Sequence, residues 1–176
     1  MQKTQLEKRA CDFLKTRKTL LMATLGVDEI PTASYAPFVR ENGNFYVYIS
    51  ALSRHTRDLL EKSAVSVLLI EDEADAKNIF ARRRITFSCE AYVVPKKGAG
   101  WWNTIGIFEK TFGQIFDILK SLPDFVLFRL EPSEATYVEG FGKAYRMDKH
   151  LRNPVHVKGT GPSPRSAGEA PRQQKH

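Results

Sequence analysis

Five consecutive residues, Ser53, Arg54, His55, Thr56 and Arg57, place two hydroxyls, two guanidiniums and an imidazole side by side. They fall where an apolar strand ends and a helix is predicted to begin. The first N–H groups of a helix lack partners and carry partial positive charge, so the position attracts anions. Ser53 or Thr56 can cap those groups. Arg54 and Arg57 offer forked donors suited to a phosphate or a carboxylate, and His55 can orient a ligand or titrate near neutrality. The chemistry on offer is anion binding. The same row also reads as a capped surface helix whose arginines are solvated.

A second row, Arg82, Arg83 and Arg84, enters a predicted strand. Alternation sends Arg82 and Arg84 to one face and Arg83 to the other. Two arginines on one face can clamp a carboxylate or a phosphate; they can also discourage edge-to-edge pairing. Asp124 stands between Pro123 and the apolar run Phe-Val-Leu-Phe-Arg-Leu. A carboxylate at the head of a buried strand must be exposed, paired or protonated. The acidic run Glu71 to Lys77 reads as a solvated turn. No histidine or cysteine spacing suits zinc, and neither a nucleophile elbow nor a P-loop is present.

These residues need a scaffold. Leu6, Ala10, Phe13 and Leu14 recur on one helical face within Gln2–Thr16. Thr19–Gly26, Pro31–Arg40 and Asn44–Ser50 read as strands, the last two joined at Asn42-Gly43, a strong hairpin signal. Pro31 belongs at a strand start, and Pro37 requires an edge or a bulge. A helix from Ser53 to Lys62 precedes a strand at Ala64–Glu71. Arg82–Pro95 forms a long strand, Trp101–Leu122 a single amphipathic helix, and Asp124–Pro132 and Glu134–Met147 two closing strands. Short connections make neighbours antiparallel, and closure removes edges. The fold class expected is mainly β (α+β), a small antiparallel barrel with the Trp101–Leu122 helix as plug or flank.

The 176 residues suit one domain. After Met147 the composition changes. Residues 148–176 hold four of the nine prolines and six Lys and Arg against two Asp and Glu, which is four of the seven net positive charges. The division expected is a barrel domain over 1–147 and a flexible basic tail over 148–176. With the tail set aside the core is only mildly basic, so nucleic acid is not the expected partner. The charged N-terminus does not resemble a secretory signal. No apolar run approaches the ~20 residues of a membrane helix. Cys11 and Cys89 form no paired framework. A cytoplasmic protein that does not bind membrane is expected.

The stretches "IPTASYAPFV", "GNFYVYISALSRHTRDL", "IEDE", "FARRRITF", "LPDFVLFRLEP" and "YVEGFGKAY" together resemble the haem-utilisation proteins of the pyridoxamine-phosphate-oxidase-like split-barrel superfamily. The resemblance spans roughly Lys18 to Tyr145. It implies a homodimeric split barrel with ligand sites at the dimer interface, haem as ligand, and oxidative haem degradation driven by an electron donor. Flavin-binding relatives would instead hold FMN there, with Ser53, Arg54 and Arg57 as candidate phosphate ligands. A carrier that binds haem without cleaving it is the third possibility. His55 matches the interface histidine of the family, and Arg84, with Arg82 beside it, an arginine placed near the haem. Asp124 matches the aspartate that bonds a haem-ligating histidine across the interface. Haem-branch relatives end in a tail approximating His-Leu-x-x-Gly-His, whose last histidine ligates iron. Here that position is Gly161 within "HVKGTGP", which leaves His156 as the expected ligand and His150 as its substitute.

Overall fold

The computed structural model describes residues 2–158. Helix α1 (Gln2–Lys15) leads into strands β1 (Thr19–Leu25), β2 (Pro31–Glu41) and β3 (Asn44–Ser50). Helix α2 (Arg54–Glu61) and strand β4 (Ala64–Ile70) follow. Two single 3-10 turns, Glu73–Asp75 and Ile79–Ala81, then precede β5 (Arg84–Val93). Helices α3 (Ala99–Phe112) and α4 (Gln114–Ser121) come next, and β6 (Phe125–Gly140), β7 (Lys143–Asp148) and the two-residue β8 (Val155–His156) complete the chain order.

All strand pairings are antiparallel, in the order β3-β2-β1-β4-β5-β6, and β3 also pairs with β6. Six strands therefore close into a barrel, with β7 and β8 continuing from the free half of β6. Pro37 marks where β2 changes partner. Residues up to Pro37 face β1, and the ladder to β3 starts at Phe38, so the missing proline N–H falls at a seam. The hairpin at Asn42-Gly43 has positive φ at both residues (50° and 84°), as its sequence demands.

The two closing strands expected at 124–132 and 134–147 are instead one 16-residue strand, β6, followed by a hairpin into β7. A register shift lies where Cys89 faces Pro132 and Ser88 faces Glu134. Ser133 is the extra residue of a bulge, and its hydroxyl donates to the Ser88 carbonyl at 3.1 Å. The bulge lets the strand bend without ending, so a proline that reads as a terminator becomes a kink.

The barrel interior is filled by alternate residues such as Phe45, Val47, Val67, Ile85, Phe87 and Phe128, and α1 adds Leu6, Ala10, Phe13 and Leu14 to the same core. The outer face of β3 and its neighbours is covered too. Val39, Tyr46, Tyr48 and Leu127 pack against Trp101, Ile105, Phe108 and Phe116. That explains why Phe45 to Ile49 are buried without alternation: a strand covered on both faces has no wet side. Gly113 (φ 66°, ψ −146°) splits the expected single helix into α3 and α4, and the break folds Phe116 back onto Phe108 at 4.8 Å between ring centroids. This helix pair is a flank, not a plug.

The start of the expected tail is also different. Residues 148–158 are docked: Leu151 is 1% exposed within the barrel core, and Val155 and His156 pair with Arg146 and Tyr145. Burial pushes the Asp148 carboxyl up, but N–H donors from Arg152, His150 and the Asn153 side chain outweigh it and hold it below the usual carboxylate range. The remainder of that expected tail, from Gly159 onward, lies outside the described residues.

Candidate functional site

The Ser53–Arg57 row sits at the start of α2, where Ser53 is N-cap by backbone conformation but its side chain makes no capping bond. Thr56 donates instead to the Ser50 carbonyl at 2.6 Å, tying the helix to the end of β3. Arg54 pairs with Asp28 at 2.5 Å and approaches Asp58 at 3.9 Å. Asp58 was not singled out from the sequence, yet it is the buried group of this helix, 4% exposed, with Thr24 donating to it at 2.7 Å. Arg57 remains exposed. The shallow groove beside the row is lined by Asp28, Arg54, Arg57, Asp58 and Glu61. Three carboxylates against two guanidiniums make a poor cradle for a phosphate within one chain. Of the residues read as FMN-phosphate ligands, Arg54 is thus engaged by Asp28 and Asp58, while the side chains of Ser53 and Arg57 make no hydrogen bond among the described residues, so one chain alone assembles no phosphate cradle from the three.

His55 lies half-buried between these bonds. Its Nε2 is buried without a hydrogen-bond partner among the described residues. Burial pulls its pKa down, against the opposing charge of Asp58, and so favours the uncharged imidazole.

The arginine row divides by task. Arg82 donates to the Glu71 carbonyl and reaches Glu73 at 3.2 Å. Arg83 pairs with Glu71, at 2.9 Å from Nε and 2.5 Å from a terminal nitrogen. Glu71 is buried, and Arg83, working against burial, holds its carboxyl below the usual range. It therefore does not belong to a solvated turn. Arg84 is the freer of the three. It starts β5 between Ile70 of β4 and Val138 of β6, and donates only to the Arg82 carbonyl at 3.1 Å among the described residues.

Asp124 lies at the head of β6. Its carbonyl accepts from the Ala51 N–H at 2.6 Å, and its Oδ2 accepts from the Ser50 hydroxyl at 2.7 Å. Among the described residues Oδ1 receives no hydrogen bond. Ser50 was absent from the sequence expectation because its part depends on the β3–β6 register, in which Ser50 faces Phe125. His156, on β8, stacks edge-on against Tyr145 at 5.3 Å, and its Nε2 lies 2.9 Å from the Gly142 carbonyl. A carbonyl only accepts, so Nε2 is the donor in this bond and Nδ1 is the ring nitrogen it leaves free. His156 and Asp124 of one chain do not meet. His150 is exposed, near Gly43. Gly161 lies outside the described residues.

An antiparallel six-stranded barrel, closed by β3–β6 pairing and flanked by a helix pair, defines a split-barrel protein. Residues 6–139 match the pyridoxamine 5'-phosphate oxidase family, and the chain belongs to that family. It is 42% identical over 143 residues to the haem oxygenase HutZ of Vibrio cholerae, with 81% of each chain covered. The crystal structure of HutZ from Vibrio cholerae, described as a haem storage protein, superposes with a TM-score of 0.70 over 72% of this chain and 89% of that one, at 42% identity. ChuZ of Campylobacter jejuni superposes with a TM-score of 0.81 at 28% identity, covering 91% of this chain and 65% of that one.

Proposed function

We propose that this protein binds haem and degrades it oxidatively so that its iron can be used. The observation that carries the reading is the 42% identity to a haem oxygenase across four-fifths of both chains. Haem supplies the redox chemistry, and an external electron donor supplies the electrons. The chain binds, orients and shields. His156 is the iron ligand, through the Nδ1 that its contact with Gly142 leaves free or after that contact opens. Asp124 of a second copy accepts an imidazole N–H on Oδ1, a carboxylate behind a metal-bound histidine being a common orienting arrangement. Arg84 holds a haem propionate with a guanidinium that has no carboxylate partner among the described residues, and Arg82 braces the turn beside it. His55 lines the interface.

The homodimer has a physical motive. The outer face of β1, β2 and β4 leaves Leu21 43% and Tyr35 67% exposed beside Leu68, an apolar area that a second copy would cover.

The test is a titration of the full chain with ferric haem, followed by ascorbate under air. The expected result is a Soret band that bleaches as chelatable iron is released. A Soret band that persists identifies a carrier, and a flavin spectrum on adding FMN, with no Soret band on adding haem, identifies a flavoprotein. His156→Ala is expected to shift the Soret band, and His150→Ala to leave it in place. An unaltered spectrum in His156→Ala removes that histidine as the ligand.

A further inference from the structure

The Tyr48 hydroxyl is buried and has no hydrogen-bond partner among the described residues, although the residue is only 6% exposed. Buried hydroxyls are normally bonded, because one without a partner opposes folding. Its surroundings are specific. Tyr48 and Ser50 stand two residues apart on the same face of β3, opposite Leu127 and Phe125 of β6. The Tyr48 ring is held by Phe125 at 5.1 Å and Phe116 at 5.4 Å, and Phe125 directly follows Asp124. Burial, and after it the charge of Asp124, push the phenol pKa up. Ser50 occupies Oδ2 of that carboxylate and leaves Oδ1 open.

We propose that Tyr48 is a positioning residue of the Asp124 site, its hydroxyl donating to the carboxylate once an imidazole N–H has docked on Oδ1. A carboxylate accepts about four hydrogen bonds. Ser50, Tyr48 and the imidazole make three, and together they fix the plane of the carboxylate and hence of the histidine it orients. Within one chain the phenol sits in its ring cage without a hydrogen-bond partner among the described residues. This inference rests on the haem reading above.

The experiment compares Tyr48→Phe with the unaltered chain and with Asp124→Asn, in two measurements. The first is thermal unfolding of the ligand-free protein. Tyr48→Phe removes a hydroxyl that has no partner among the described residues, so the midpoint is expected to stay or rise. A fall of several degrees would mean that the hydroxyl serves the fold, and would overturn the proposal. The second is ferric-haem titration. Tyr48→Phe is expected to shift the Soret band and weaken binding about tenfold, as for a lost hydrogen bond to a charged group. In an Asp124→Asn background the same change is expected to add nothing, because Tyr48 acts through that carboxylate. Unchanged affinity and spectrum in Tyr48→Phe sink this proposal alone. Absence of any Soret band in the unaltered chain sinks the haem reading and this inference with it.

Discussion

The residues that carry the buried polar work are not all those whose types stand out. Arg54, His55 and Arg57 are conspicuous, but Asp58 does the structural work, held by Thr24 and lying against Gly26. A Cβ on Gly26 would stand 2.8 Å from Asp58 Oδ1, so Gly26→Ala must displace a buried, bonded carboxylate. We expect a loss of about 1–3 kcal/mol in denaturant unfolding; a loss below ~0.5 kcal/mol would show that Asp58 moves freely. Glu71 sets an acid limit. Its folded pKa is lowered from about 4.5 by Arg83, so its contribution is present above that value and is lost as pH falls through the folded one. Glu71→Gln should flatten the acid limb of the stability curve and cost about 1–2 kcal/mol at neutral pH, discounted because Arg83 is half exposed. An unchanged acid limb in that variant would refute the assignment. The types of Arg84 and Asp124 were legible in the sequence; their partners were not. Ser50 reaches Asp124, and Glu71 reaches Arg83, only through strand register, which no local spacing encodes.

Elements were more legible than residues. The hairpin at Asn42-Gly43, the α1 stripe and the bounds of β3 follow from turn chemistry and periodicity. The misreadings turn on breaker residues: Pro132 was given its usual local meaning, and Gly113 was not. Pro132 bends a strand through a bulge without ending it, and Gly113 turns one helix into two. Prolines and charge likewise hid Leu151, which anchors residues 148–158 from a left-handed backbone conformation (φ 59°). That strain is held by burial in the barrel core. Leu151→Ala should therefore cost about 2–5 kcal/mol. A change below ~0.5 kcal/mol, as for a loose tail, would show that the segment does not dock. The neighbouring truncation gives the contrast: removing residues 159–176 is expected to leave the unfolding free energy within about 1 kcal/mol, and a larger loss would assign those residues a packing role.

At the scale of the molecule, the barrel closes through β6, the strand that pairs in turn with β3, β5 and β7. The chain's 20.0 kDa mass makes the proposed dimer easy to test. Sedimentation equilibrium at micromolar loading should return twice that mass, and the single-chain mass at every loading would reject it. Closure of a small barrel was foreseeable from strand count and short connections. Which strand would carry three partners was not, because that depends on the bend at Pro132.

That strand also acts as a ruler. Asp124 heads it, while His156 pairs with Tyr145, which pairs with Tyr137. Thirteen positions separate Asp124 from Tyr137, about 40 Å of extended chain. The strand bends at its bulge, yet Asp124 stays at its head while His156 lies two strands beyond its far half, so the proposed site takes the aspartate and the histidine from different copies. Each copy would lend one half of two sites, and damage to opposite halves should be complemented in trans. Asp124→Asn and His156→Ala proteins, each altered in its haem spectrum alone, should regain part of the unaltered spectrum after they are unfolded together and refolded as a mixture. Failure to regain it, with mixed dimers shown to form, would place both halves of the site in one chain.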